Sequence, residues 1–171
     1  MAKAWEVHGL RPDARFSDAA GRIILTRWRE MMSYRDGTLA GEDIEELHAM
    51  RVASRRLRAA MDAFAAAFPH KSFKRHLGRV KEITDTLGEA RDLDVAIEGL
   101  QKRERSAAEV ERPGLEGLIA RYGSERAAET AAIEALFRRL DEDDFGPVFE
   151  RWVEQHTGVS VDALAPAAPA G

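Results

Sequence analysis

His48, Arg51, Arg55 and Arg58 are the residues of this 171-residue chain whose types and spacing carry chemistry. An Arg guanidinium stays charged at any working pH and can donate two parallel hydrogen bonds to phosphate oxygens. Arginines repeated every three or four residues therefore suit an extended anion. Turned on a helix at ~100° per residue, these four residues and Asp62 share a stripe ~80° wide. Met50, Ala53, Leu57, Ala60, Met61, Phe64 and Phe68 fall on the opposite side, with Arg56 on the flank. One side of this helix suits a core, and the other is free to hold a ligand.

The following helix repeats the pattern. Lys74, Gly78 and Lys81 share one face with Lys71 close by, while Val80, Ile83 and Leu87 form its apolar face. Between His48 and Lys81 there are nine basic residues and one acid, so this stretch is +8 in a chain of net −4, and the remainder is −12. Like charges at helical-neighbour spacing cost about 0.2–0.5 kcal/mol per pair. An anion laid along the stripe relieves that repulsion. Arg15, Arg22 and Arg29 recur every seven residues earlier in the chain and make a weaker stripe. All three stripes are expected to lie side by side as one cationic surface.

The elements that position these residues are helices. Apolar residues recur at three- and four-residue spacings, with almost no strict alternation. Residues 1–13 read as an irregular segment. Helices are expected over about 14–35, stopped at Asp36-Gly37, and from Asp43 to Phe68, stopped by Pro69. Two more are expected over about 72–87 and 92–108, with Gly88 capping the first and Asp92 starting the second. A fifth follows Pro113-Gly114 over about 115–140, and a short one covers about 147–155. The fold class is all-α: an antiparallel bundle of about four long helices plus a short C-terminal helix, spanning residues 14–156. Residues 157–171 read as an Ala/Pro-rich, disordered tail.

Several function classes fall away on composition. The chain has no cysteine, which removes thiol catalysis, Cys-based zinc sites and disulfides. It has no apolar run of signal-peptide length and none approaching the ~20 residues of a membrane span, so a soluble cytoplasmic protein is expected. Glu45 and His48 have the Glu-x-x-His spacing of di-iron bundles, but no second copy accompanies them, and no metal site is expected. A phosphohistidine enzyme using His48 lacks a P-loop and a metal-binding acidic cluster, so no enzyme is expected. Nucleic-acid binding is the alternative, because backbone contacts alone do not separate one phosphate chain from another. Base stacking, however, needs aromatics on the basic face, and Phe64 and Phe68 lie on the core side. A scaffolding bundle without a ligand is the remaining reading.

Two motifs carry a family likeness. The run from His48 to Ala59, with its Arg51, Val52 and Arg55-Arg56-Leu57-Arg58 cluster, resembles the signature helix of the CHAD family, the conserved histidine α-helical domain. Leu87-Gly88, Arg91-Asp92 and Asp94-Val95 resemble that family's second motif. The likeness covers about residues 14–108 well and looks like the N-terminal half of a full-length member. It implies non-catalytic binding of inorganic polyphosphate by His48, Arg51, Arg55 and Arg58, with Lys81 and Lys74 added from the next helix. Arg56 serves either binding or structure on this reading. Arg22 and Arg29 are candidates from their own stripe. Arg91, Asp92 and Asp94 are assigned structural, orienting roles. The likeness also implies association with polyphosphate granules and a triphosphate-tunnel (CYTH) enzyme as partner. A homodimer would replace the missing half.

Overall fold

The computed structural model describes residues 3–41 and 43–164. Among them are six α-helices and two 3-10 turns, with no strand: α1 Phe16–Ser33, α2 Arg35–Ala40, α3 Ile44–Ala63, α4 His70–Arg105, α5 Arg112–Glu142 and α6 Phe145–Thr157. The fold is thus an all-α bundle of four long helices, α1, α3, α4 and α5, with the short α6 near the C-terminus. No described helix is long and apolar enough to cross a membrane.

Each long helix contributes a stripe to one core. Ile24, Leu25, Trp28 and Met31 come from α1, and Met50, Ala53, Leu57 and Met61 from α3. Val80, Ile83, Leu87 and Ala90 come from α4, and Ile133, Leu136, Phe137 and Leu140 from α5. Burying each large side chain contributes about 1.5–3 kcal/mol, so this stripe pattern dominates local preferences. The helix α6 closes one end with Phe149, Trp152 and Val153. Gly21 lets α1 approach the end of α6, since a Cβ there would lie 2.8 Å from Val159 Cβ.

The boundaries differ from the expected ones where tertiary packing outweighs a local signal. The two helices expected around Gly88–Asp92 are one continuous helix, α4, of 36 residues. Val80, Ile83, Leu87, Ala90 and Asp94 are all buried at unbroken helical spacing through that point. Gly88 costs about 1 kcal/mol against Ala inside a helix, far less than breaking the stripe would cost. Neither Gly88 nor Asp92 is therefore a cap. Gly37 likewise stops nothing: it lies inside α2, and a Cβ there would come within 2.7 Å of the Glu46 side chain. The stop is Gly41, in the left-handed conformation at φ 67°.

Smaller corrections follow the same logic. The helix α3 ends at Ala63, and a 3-10 turn, Ala65–Ala67, leads to Pro69. Pro113 sits in the first turn of α5, where its missing N–H costs nothing. The tail does not begin at Thr157. Val159 is buried, and a 3-10 turn, Val161–Ala163, follows it. Residues 165–171, the rest of the expected tail, lie outside the described residues, as do Met1 and Ala2 of the irregular N-terminal segment.

Candidate functional site

Asp43 starts α3 by accepting a hydrogen bond from the Glu45 N–H at 2.8 Å. From there the helix divides as its wheel requires: Met50, Ala53, Leu57 and Met61 have no exposure, while Arg55 is exposed and His48, Arg51 and Arg58 are half-buried. Arg55 and Arg58 make no ion pair or side-chain hydrogen bond among the described residues. Arg51 is held loosely, its Nη2 lying 3.8 Å from Asp92 Oδ1 with Asp92 itself 78% exposed. The Nδ1 of His48 is buried without a partner, which leaves Nε2 as the ring nitrogen able to meet a ligand.

The continuous α4 runs antiparallel to α3 and fixes the register of the second basic row. Arg51 lies over Gly88, where a Cβ would sit 3.7 Å from its Nε, and beside Asp92. Each turn forward along α3 is a turn backward along α4, so Arg55 stands level with Asp85 and Arg58 level with Lys81. Lys74 continues the row ~10 Å further, at 1.5 Å per residue. Lys74 is exposed, Lys81 half-buried, and neither has an ion-pair partner among the described residues. Between them a Cβ at Gly78 would meet nothing within 4 Å, so the row has open space above it. Asp62, Asp85 and Asp92 are the acids on this side. A charge tally that stops at Lys81 misses the last two.

Other candidates are placed elsewhere. Arg56 donates to Glu30 at 2.7 Å, and Glu30, fully buried, is also bound by Arg27. It ties α3 to α1. The same acid, together with burial and Glu46, raises the Tyr34 pKa, with burial the largest cause. Arg22 pairs with Asp18 at 3.1 Å. Arg29 lines a cleft with Trp28, Phe137 and Phe145 and donates to the Val161 carbonyl at 3.4 Å. The α1 stripe is therefore not continuous with the α3–α4 face. Arg91 is half-buried without an ion pair among the described residues, and Asp94 is buried with Arg126 at 2.7 Å. Asp92 thus lies near Arg51 on α3, while Asp94 is paired with Arg126 on α5.

Sequence reasoning missed His76. It belongs to the basic run, yet it is buried, stacked on Trp152 at 4.3 Å between centroids and packed near Phe145 and Phe149. Burial first, then the charges of Arg75 and His156, push its pKa down to about 4. Both of its ring nitrogens lack partners. The only available signal was its position: three residues before Arg79 and four before Val80, on the apolar side of the wheel.

No curated protein and no solved structure matches the chain. A family model does, that of the CHAD domain, over residues 22–170. The match begins within α1 and runs well past Ala108, through α5 and α6, and so takes in most of the bundle rather than its two motifs alone. With that family model spanning most of the sequence, the chain belongs to the CHAD domain family.

Proposed function

We propose that this chain binds inorganic polyphosphate along the outward face of α3 and α4, using Arg51, Arg55, Arg58, Lys81, Lys74 and the Nε2 of His48, without catalysing a reaction. The CHAD family is associated with polyphosphate binding and is generally non-catalytic. The observation that carries the reading is that Arg55, Arg58, Lys74 and Lys81 reach solvent on one face with no ion-pair partner among the described residues. Unpaired cations of one sign in a row repel each other unless an anion lies along them. Among the described residues no aromatic side chain stands among them to stack a base: Phe64 packs on Phe16 at 5.1 Å, and Phe68 is buried. That difference favours a bare phosphate chain over RNA or DNA.

Arg56, Arg22 and Arg29 leave the proposed contact set, because each is already engaged by an acid or a carbonyl. Association with polyphosphate granules, a triphosphate-tunnel partner and a homodimer that doubles the cationic face are corollaries of the same proposal. The deciding test is mobility-shift or filter binding with long-chain polyphosphate, competed by RNA at equal phosphate concentration and repeated across salt. Tight binding that weakens steeply with salt and resists RNA supports the proposal. RNA displacing polyphosphate at parity would replace it with the nucleic-acid reading, and no binding of either would leave a scaffold.

A further inference from the structure

A second cleft, of about 690 Å³, opens between the α2–α3 corner and α5, away from the cationic face. Two of its polar lining side chains are more than nine-tenths buried, Thr38 and Asp94, each 7% exposed. Each carries an oxygen with no hydrogen-bond partner: Thr38 Oγ1 and Asp94 Oδ2. The other oxygen of Asp94 accepts from Arg126 Nε at 2.7 Å, and Arg126 Nη1 donates to Thr130 at 2.8 Å. The arginine is thus committed and does not reach Oδ2. A buried polar oxygen left unpaired costs about 1–3 kcal/mol, and more if charged. Two oxygens buried beside this cleft are therefore left without a hydrogen-bond partner.

The surroundings specify which donor. Asp94, Asp43 and Glu134 line the cleft against a single cation, Arg126, so an added positive charge is favoured. Asp43 already uses Oδ1 on the Glu45 N–H, which leaves Glu134 as the freer acid at the exposed rim. Among the described residues no three His, Cys, Asp or Glu side chains converge as metal ligands would. Leu39, Leu47 and Ile133 give the walls an apolar character suited to methylene groups. We propose that the cleft binds a short linear diamine. One ammonium donates to Asp94 Oδ2 and Thr38 Oγ1, the methylenes lie against the apolar walls, and the second ammonium reaches Glu134. This site does not depend on the polyphosphate reading.

Calorimetric titration of the full chain tests it, with 1,4-diaminobutane, n-butylamine and magnesium chloride as probes. The diamine is expected to bind saturably at one site, butylamine about tenfold more weakly for loss of one charged contact, and magnesium not at all. Thr38→Val keeps the side-chain shape and leaves the Asp94–Arg126 pair intact. It should weaken both amines about tenfold. Glu134→Gln should weaken only the diamine, towards the butylamine value. Absence of saturable heat overturns the proposal. So does diamine affinity that is equal in the wild type, Thr38→Val and Glu134→Gln, the result of an ordered water at the floor and unspecific attraction to an acidic surface.

Discussion

The outward and inward sides of α3 and α4 carry the same residue types to opposite ends. Arg55 and Arg56 are consecutive, yet Arg55 meets solvent while Arg56 meets a carboxylate with no exposure at all. His48 and His76 differ in the same way: one stands on the cationic face, the other is stacked among aromatic rings. Between Arg55 and Arg56, a rotation of ~100° along one helix separates a solvent-facing charge from a structural one. The lesson is that a basic run is not one functional unit. Its members must be sorted by what the neighbouring helices bring to them.

The comparison breaks most visibly in acid. The folded pKa of His76 is about 4, below the ordinary 6.5, so the unfolded chain takes up the proton first as pH falls. The stability associated with neutral His76 is whole above about pH 6.5, declines between 6.5 and 4, and is gone below that. The full loss is roughly 3 kcal/mol, from 1.4 kcal/mol per pKa unit. Urea unfolding at a series of pH values, compared with His76→Phe, isolates this group from the carboxylates. Parallel pH profiles for the two proteins would mean that His76 titrates normally and is not enclosed.

Next in size is Arg56→Ala. Removing one partner of a buried ion pair costs about 3–5 kcal/mol, and Arg27, which stays on Glu30, lowers this to about 2–3 kcal/mol. Denaturant midpoints should fall while polyphosphate affinity of the folded protein stays within about twofold, a change too small to involve a lost charge-assisted bond. A large loss of affinity with little loss of stability would return Arg56 to the binding face.

The mirror image is the double variant Arg55→Ala/Arg58→Ala. Stability should stay within ~0.5 kcal/mol, as for other surface changes. Polyphosphate affinity at low salt should drop by more than tenfold, and the log–log salt slope should flatten by about 1.4, at ~0.7 per phosphate contact on a single strand. Unchanged affinity and slope would make this face merely solvated.

What the sequence discloses and conceals follows from range. The α3 wheel is legible because its determinants lie within 21 residues, and its apolar side is buried as the spacing demands. Arg56 stays ambiguous from sequence because its partner, Glu30, lies 26 residues away on another helix. The aromatic enclosure of His76 comes from α6, more than 60 residues on. Gly88 and Asp92 are sound local signals for a break, and they lose to a buried stripe that runs straight past them. The heptad spacing of Arg22 and Arg29 shows that they share a side of α1, but not which neighbour that side faces.

The smallest effect concerns Asp92, which reads as an orienting residue yet lies on the face proposed to hold the anion. Its contact with Arg51 is 3.8 Å long and its side chain 78% exposed, so the pair contributes at most about 1 kcal/mol to stability. Asp92→Asn removes one negative charge beside the phosphate path and frees Arg51 to turn outward. Affinity for polyphosphate should then rise about two- to threefold at low salt, an advantage that fades as the screening length shortens towards ~3 Å at 1 M. If Asp92 instead holds Arg51 in its binding pose, the same substitution weakens binding, and the deficit persists at high salt because it is geometric rather than Coulombic. The sign of that one change separates an acid that competes with the ligand from one that prepares the site for it.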